Sequence, residues 1–451
     1  MEIRNKANRI RLFSFNTPQM RAFHLSWFAF HICFFGWFGI APLMAVVRED
    51  LSLTQAQIGN TIIASVLITV IVRLLIGVLC DRIGPRLAYT WLLCLGSLPV
   101  ISIAFVSSFE GFFLARLAIG AIGASFVITQ YHTTMMFAPN VVGTANATSA
   151  GWGNLGGGTT QILMPLIFSG LLMLGVNEAF GWRLAMVVPG VVLFLTGIAY
   201  YFLTQDAPDG NFSELRARGE LPPAAKGRGK GSGSFMDAAR DIRVWALFVV
   251  YAICFGVELT INNIAAIYFF DHFDLTLATA GLIAGLFGMM NLFARTLGGV
   301  FSDLFAKNWG LKGRVRWLFI ALVCEGIALM FFSQMRVLTM AIGIMLVFSL
   351  FVQMAEGATY GVVPFINKKA LGAVAGIVGA GGNVGAVAAA FLFRSEAITY
   401  QQGLFYLGFT VLVLASCALL VRFSPEEEAE EAAAFQEAVG DDTGAGALSL
   451  R

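Results

Sequence analysis

Charged residues are scarce in this chain. Only 12% of its 451 residues are Asp, Glu, Lys or Arg, whereas 58% are hydrophobic. A soluble domain carries roughly 25% charged residues. The formal net charge is only +2, which excludes the global basic field of a nucleic-acid-binding protein. The composition therefore predicts a membrane protein without a nucleic-acid partner.

Cysteine is also scarce, and the reactive side chains exclude several kinds of chemistry. The six cysteines stand singly in apolar runs, without the spacing of a zinc site or of a disulfide framework. The sequence offers no nucleophile–base set, metal cluster or phosphate-binding loop. We therefore expect a protein that is not an enzyme and that needs no cofactor or metal.

Long apolar segments make up most of the chain. A helix needs about 20 residues to cross ~30 Å of hydrocarbon, and twelve segments reach that length, six before and six after a polar stretch. Their approximate bounds are 22–47, 58–80, 87–107, 109–136, 142–173, 182–204, 243–270, 278–304, 315–334, 336–364, 370–393 and 402–422. The pattern predicts an all-α membrane protein with 12 transmembrane helices in two six-helix bundles.

The rest of the chain divides around these bundles. We expect an N-terminal segment at 1–21, bundles at 22–204 and 243–422, a linker at 205–242 and an acidic tail at 423–451.

The distribution of basic residues indicates the orientation. With the N-terminus inside, the outside loops hold only four of the 29 Lys and Arg residues, namely Arg48, Arg183, Arg336 and Arg394. The positive-inside rule then places both termini, the linker and the tail in the cytoplasm. We expect a multi-pass protein of the inner (plasma) membrane.

Two sequence echoes relate the halves. One pairs the second span with the eighth, where Arg73, Gly77 and Asp81 match Arg295, Gly299 and Asp303. The other pairs the fifth span with the eleventh, where Gly153 and Asn154 match Gly382 and Asn383. Duplicated transporter folds place their substrate site near the membrane midplane, between the repeats. The echoes therefore predict two pseudo-symmetric bundles with a central site.

Two arginines in these echoes lie deep in the membrane. Arg73 precedes Asp81 by eight residues, so a rise of 1.5 Å per residue puts it ~12 Å into the bilayer, and Arg295 has the same depth. Arginine there costs from ~3 to more than 10 kcal/mol and keeps its proton. The alternative to a functional cavity is burial against an acid: Glu258, Glu325 or Glu356. We favour a shared cavity, where two guanidinium forks bind a small planar oxyanion such as nitrate or nitrite.

Glycine-rich segments surround two asparagines in the fifth and eleventh spans. Glycine costs about 1 kcal/mol relative to alanine in a helix in water, but in membranes it lets helices touch closely. Gly153 and Gly382 are therefore either packing residues or places where a ligand approaches the backbone. Asn154 and Asn383 need partners at that depth, and we expect them to contact the anion.

Further polar residues interrupt other spans. We expect Arg116 near the outer end of the fourth span, where it snorkels or pairs with Glu110. Glu258 in the seventh span is the candidate for proton coupling, and the alternative is a satisfied packing carboxylate. Additional cavity candidates are Asn262, Asn263 and Glu356.

The loop between the second and third spans carries a recognisable motif. It reads Gly77-x-x-x-Asp81-Arg82-x-Gly84-x-Arg86 and resembles the signature loop of the major facilitator superfamily. An acid at a helix end among arginines can lock one conformation by ion pairing across the halves. Asp303 marks a degenerate copy in the second half.

The paired glycine-rich segments resemble the signature motifs of the nitrate/nitrite porter family within that superfamily. Three motifs are similar to its plant and proton-coupled bacterial branch: Gly256-Val-Glu258-Leu, Tyr268-Phe-Phe-Asp271-His-Phe-Asp274 and Ala355-Glu356-Gly357-Ala-Thr-Tyr360-Gly-Val-Val-Pro364. The resemblance implies that Arg73 and Arg295 clamp the anion and that Asn154 contacts it. Some bacterial exchangers place a span-seven tyrosine against the substrate, where this chain offers Asn262 and Asn263.

These observations together predict a secondary active transporter. We expect alternating-access transport of nitrate and/or nitrite, as proton-coupled nitrate import for nitrate assimilation, by a monomeric transport unit in the lipid bilayer. The alternatives are a nitrate/nitrite antiporter, a transporter of another small anion, and a signalling receptor built on a transporter fold.

Overall fold

Helices make up every regular element of the computed structural model, which describes residues 5–137, 142–220, 231–367 and 371–429. The first half contains α1 (Pro18–Phe38), α2 (Met44–Asp50), α3 (Gln55–Ile83), α4 (Pro85–Ser102), α5 (Phe109–Ile119), α6 (Ser125–Met136), α7 (Val142–Met173) and α8 (Glu178–Leu203). The linker contains α9 (Phe212–Ala217) and α10 (Gly231–Arg240). The second half contains α11 (Ile242–Phe273), α12 (Leu277–Met289), α13 (Ala294–Ser333), α14 (Leu338–Val362), α15 (Leu371–Arg394) and α16 (Tyr400–Leu414).

Most of these helices are long enough to cross a membrane. Eleven segments of the described residues have the required length and apolar composition. One of them, Leu277–Ser333, has 57 residues and would be about 85 Å long if straight. Trp309 and Gly310, with φ of −137° and 60°, break its helical backbone, so this segment crosses twice. The result is six crossings on each side of the linker, and the predicted all-helical membrane fold is confirmed.

Side-chain caps begin several of the crossings. At the start of α3 the Thr54 hydroxyl accepts from the Gln57 backbone N–H while the Gln57 side chain accepts from the Thr54 N–H. Thr399 and Gln402 make the same pair of bonds at the start of α16. Each such cap is worth about 1 kcal/mol, so both helices have a fixed first residue.

Glycines bring the same pair of helices together in each half. A Cβ on Gly156 of α7 would lie 2.1 Å from the carbonyl oxygen of His31 in α1. A Cβ on Gly385 of α15 would lie 2.0 Å from the carbonyl oxygen of Ala252 in α11. Neither position has room for a larger residue, because the neighbouring backbone fills the space. The sequence echo between the fifth and eleventh spans therefore corresponds to equivalent helix packing.

The two halves meet near mid-depth and on the side opposite the linker, which we call the distal face. Near mid-depth α7 crosses α12, where a Cβ on Gly158 would lie 2.7 Å from the carbonyl carbon of Gly288. At the distal face Arg48 donates to both carboxylate oxygens of Asp271, at 2.7 and 2.8 Å. The Gln55 amide, also in the first half, donates to three carbonyls just after α15 or at its end. These contacts hold the distal face closed.

Candidate functional site

Arg73 lies half-buried on α3. Its Nη2 donates to the carbonyl oxygen of Gly123 at 3.3 Å, and its guanidinium carbon lies 5.6 Å from the centre of the Phe126 ring. Its buried Nε has no hydrogen-bond partner in the described part of the chain. No described carboxylate lies within ion-pair distance of it. Arg73 thus retains donors that a bound anion can use.

Arg295, its repeat equivalent on α13, is held differently. Its side chain is only 7% exposed, and its Nη1 lies 2.8 Å from Oε2 of Glu356 on α14. This contact is an ion pair and not a hydrogen bond, because the angle between Nη1–H and the Glu356 oxygens is unsuitable and all three atoms lack a hydrogen-bond partner. Its Nη2 donates to the Tyr251 hydroxyl at 2.8 Å. Of the three acids that the sequence offers as partners, Glu356 is the one that pairs with Arg295.

Two tyrosines connect the arginines. The hydroxyls of Tyr251 on α11 and Tyr360 on α14 both interact electrostatically with Arg73 and with Arg295. The tyrosine rings meet edge to face, with centroids 5.2 Å apart. Both arginines therefore lie near the same two tyrosines, and one of these, Tyr251, accepts a hydrogen bond from Arg295.

Aromatic rings separate each arginine from the glycine-rich helix of its own half. In the first half, the Phe126 ring under the arginine packs on Phe30 at 5.7 Å, and a Cβ on Gly153 would lie 1.8 Å from the Phe30 ring. In the second half, a Cβ on Gly382 would lie 2.4 Å from the ring of Phe255, which lies 5.9 Å from the guanidinium carbon. Gly382 therefore makes room for the ring beside Arg295, and Gly153 makes room for Phe30, which supports the ring beside Arg73.

Two buried amides stand beside these glycines. Asn154 is 1% exposed and Asn383 is fully buried. Neither the oxygen nor the nitrogen of either amide has a hydrogen-bond partner among the described residues. An unsatisfied buried polar group costs about 1–3 kcal/mol. Both positions therefore favour a polar ligand or water that completes the amide.

Glu258 on α11 is a second buried carboxyl close to Glu356, the ion-pair partner of Arg295. Its Oε1 accepts from the Asn291 amide at 2.7 Å, whereas its buried Oε2 has no partner among the described residues. Glu258 interacts electrostatically with Glu356 and with Arg295. Glu258 and Glu356 are therefore two neighbouring buried carboxyls beside one arginine.

Known proteins match this chain over most of its length. The Major Facilitator Superfamily pattern matches residues 26–390. High affinity nitrate transporter 2.5 of Arabidopsis thaliana is 42% identical over 94% of this chain and 84% of its own length. Nitrate/nitrite transporter NrtP of Picosynechococcus is 29% identical over 91% of this chain and 94% of its own length. The chain belongs to the nitrate/nitrite porter family of the major facilitator superfamily.

The porter's fold is also similar to that of solved transporters. A bacterial homologue of the human lysosomal transporter Spinster, inward-facing and unoccupied, superposes with a TM-score of 0.70 at 15% identity, over 91% of this chain and 99% of that one. This likeness concerns the fold alone. The resemblance inferred from the sequence motifs is confirmed, and the porter is a multi-pass membrane transporter rather than an enzyme.

The seventh crossing of the porter supplies a hydroxyl that the sequence analysis missed. Tyr251 lies three turns before Asn262 and Asn263 on α11, and its hydroxyl accepts a hydrogen bond from Arg295 at 2.8 Å. The Asn262 carbonyl instead accepts from the Gln161 amide of α7 at 2.6 Å, while the Asn262 side chain is buried without a described partner. The seventh crossing therefore offers the Tyr251 hydroxyl beside Arg295 in addition to Asn262 and Asn263.

Arg116 lies in the interior, and the prediction that it snorkels or pairs with Glu110 is wrong. It is 1% exposed, and it donates to the Trp37 carbonyl at 3.0 Å and to Oδ1 of Asn263 at 3.1 Å. Its helix, α5, is followed directly by a 3₁₀ segment and α6, so this crossing continues well beyond α5 and places Arg116 inside it. Asn263 thus joins the halves through Arg116.

The signature loop is tied to the linker. Gly84, with φ of 87°, ends α3, and a Cβ there would lie 2.4 Å from the Asp206 carboxyl. That carboxyl accepts from the Arg86 N–H at 2.8 Å and from the Phe212 N–H at 2.9 Å. Burial raises the pKa of Asp206 above its ordinary value although these two bonds oppose the shift. The Arg82 carbonyl accepts from Arg216 of α9.

Asp303, the copy of the motif acid in the second half, makes its ion pair within its own half. Asp303 pairs at 2.5 Å with Arg314, which belongs to the same helix, α13. The cause is the break at Trp309 and Gly310, which folds the second part of α13 back beside the first. Gly77 and the side chain of Asp81 lie outside the described residues.

Proposed function

We propose that this porter transports nitrate and/or nitrite by alternating access, as proton-coupled nitrate import, with the anion bound between Arg73 and Arg295. The observation that carries the proposal is that Arg295 donates to the Tyr251 hydroxyl at 2.8 Å, while Tyr251 and Tyr360 also lie within electrostatic range of Arg73. The named activities of the relatives, nitrate transport in Arabidopsis and nitrate/nitrite transport in Picosynechococcus, support this substrate class.

The chemistry of the site suits a small planar oxyanion. Guanidinium forks, two hydroxyls and the amides of Asn154 and Asn383 offer donors to oxygen acceptors on several sides. The Phe126 and Phe255 rings beside the arginines keep the local dielectric low, which strengthens each charged contact. We propose that Gly153 and Gly382 serve this site by seating the rings.

Alternating access follows from the contacts between the halves. The distal face is closed by the Arg48–Asp271 pair, and we propose that the site opens towards the linker face. The distribution of basic residues supports a cytoplasmic linker face with both termini inside. An anion between the two arginines relieves their mutual repulsion and favours closure around it. We propose that the bundles at 22–204 and 243–422 move as the two rigid parts of a monomeric unit in the plasma membrane.

Protons supply the driving force in this proposal. Moving a monoanion inward against 100 mV costs about 2.3 kcal/mol, so import needs at least one proton for each anion. Glu258 is the proposed proton carrier, since it is a carboxylate with one unpartnered oxygen next to Glu356.

Transport by the purified protein in liposomes tests this function. Labelled nitrate is added outside the vesicles and the pH difference across their membrane is varied. We expect nitrate uptake to rise when the outside is more acidic than the inside. Uptake that ignores the gradient but requires nitrite inside the vesicles would instead support exchange. Competition by nitrite, chlorate and small carboxylates separates a nitrate porter from a carrier of another anion.

Lysine substitutions test the clamp. Arg73→Lys and Arg295→Lys should each reduce uptake by 100-fold or more, an estimate of about 3 kcal/mol from the loss of a bidentate charged contact. Arg183→Lys is the matched control, because Arg183 pairs with Asp50 away from the site. Near-normal uptake by both site variants removes the clamp from the mechanism.

A further inference from the structure

The second-half arginine already holds an anion that belongs to the protein. Both outward nitrogens of the Arg295 fork are occupied, one by the Glu356 carboxylate at 2.8 Å and the other by the Tyr251 hydroxyl at 2.8 Å. Glu356 is fully buried, yet no described donor makes a hydrogen bond of good geometry to either of its oxygens. The carboxylate is therefore held at Arg295 by charge alone, and another anion can replace it.

The first-half arginine has no such internal anion. Arg73 contacts the Gly123 carbonyl and the Phe126 ring, and no described carboxylate lies within ion-pair distance of it. The pseudo-symmetric site is thus asymmetric in charge. Full use of both forks by one transported anion requires Glu356 to leave Arg295.

Glu356 can leave only if its charge is neutralised. The titratable or charged groups that face it from the helices packed around it, and from α14 itself, are Tyr251, Cys254, Glu258, Arg295, Glu325 and Tyr360. Arg295 is the only cation in that set. A carboxylate that moved away from Arg295 while still charged would be buried beside further acids, which is strongly disfavoured.

We propose that Glu356 is a built-in competitor for Arg295, which a proton entering the Glu258–Glu356 pair displaces so that the transported anion takes its place. The inference rests on the proposed function and names the residue that links proton to anion. The proton forms an O–H bond on the carboxylate, and the Nη1–H of Arg295 then donates to an oxygen of the anion. One positive and one negative charge enter together, so the charge of the buried site does not change. On release the proton leaves and Glu356 returns to Arg295.

The pH dependence of nitrate binding tests the competition. In the wild type, nitrate affinity should weaken by up to about tenfold for each unit by which the pH is raised, because one proton is bound with each anion. In Glu356→Gln, which keeps the size and removes the charge, affinity should be nearly independent of pH and should equal the wild-type value at acidic pH. This variant should still exchange labelled nitrate across liposomes, but it should lose accumulation driven by a pH gradient.

A second buried carboxyl provides the matched control. Glu325 on α13 is fully buried and contacts no described cation, so Glu325→Gln should keep the wild-type pH slope. A full pH slope in Glu356→Gln overturns the proposal, and so does a folded Glu356→Gln protein that binds no nitrate at any pH. Wild-type protein that binds no nitrate at any pH would refute the proposed function itself.

Proton uptake by the wild type gives a measurement that does not depend on any variant. In weakly buffered detergent solution with a pH indicator, nitrate addition should take up about one proton for each anion bound, because the carboxylate is protonated as the anion binds. Binding of nitrate without proton uptake across the accessible pH range would overturn the proposal even if Glu356→Gln fails to fold.

Discussion

Asn154 allows a test in which protein stability and anion binding move in opposite directions. Asn154→Leu roughly keeps the side-chain volume and removes a buried amide that has no partner in the described structure. An unsatisfied buried polar group costs about 1–3 kcal/mol, so the ligand-free variant should be at least as stable as the wild type. Nitrate binding should lose a hydrogen bond to a charged group, worth about 1.5–3 kcal/mol, which is roughly a 10- to 150-fold rise in Kd.

Thermal unfolding in detergent, with and without nitrate, measures both effects. At a nitrate concentration of about 100 times the wild-type Kd, the ligand stabilises the wild type by about 2.7 kcal/mol, and a 100-fold weaker variant by only about 0.4 kcal/mol. Gln161→Met on the same helix is the control. Its amide donates to the Asn262 carbonyl, so this change should lower ligand-free stability and keep the nitrate effect. A less stable Asn154→Leu protein with an intact nitrate effect would show that the amide is structural.

Two further substitutions test the signature loop and the distal face. Gly84→Ala should destabilise the protein by about 1–3 kcal/mol, because φ is 87° and the new Cβ would meet Asp206; an unchanged unfolding midpoint in detergent would contradict this. Asp271→Asn weakens the half-exposed pair with Arg48, which is worth about 0.2–1 kcal/mol. Ile58 lines the same distal cavity as this pair, so external thiol reagents should label Ile58→Cys up to about fivefold faster in the Asp271→Asn background. Labelling at the wild-type rate would exclude this pair as a determinant of distal closure.

Depth in the membrane could be predicted from the sequence, because it depends only on helical rise. We expect Arg73 and Arg295 at one depth and in one cavity, and this stays a prediction, although Tyr251 and Tyr360 lie within electrostatic range of both arginines. The rotation of each helix about its axis is harder to predict, since nearly all its faces are apolar. The aromatic residues around the arginines were therefore missed among the 41 phenylalanines and nine tyrosines.

One signal for the missed hydroxyl was nevertheless present. Tyr251, Phe255 and Glu258 are spaced by four and three residues, so they share one face of α11. Two polar side chains, Tyr251 and Glu258, on one face of an otherwise apolar helix indicate that this face borders a polar space. No such signal identified the acid that pairs with Arg295. Glu356 and Glu325 lie on neighbouring helices, and only the packing of those helices determines which of the two reaches the arginine.

The contact between Gly158 and Gly288 determines how the halves can move. Backbone touches backbone there, with no side chain from either helix in between. Interlocked side chains would have to separate when the halves rotate relative to each other. Two helices that touch only through backbone atoms can change their crossing angle without that step. Because a methyl group at either position would push the two backbones apart, we expect Gly158→Ala or Gly288→Ala to prevent full closure of the distal face and to slow transport.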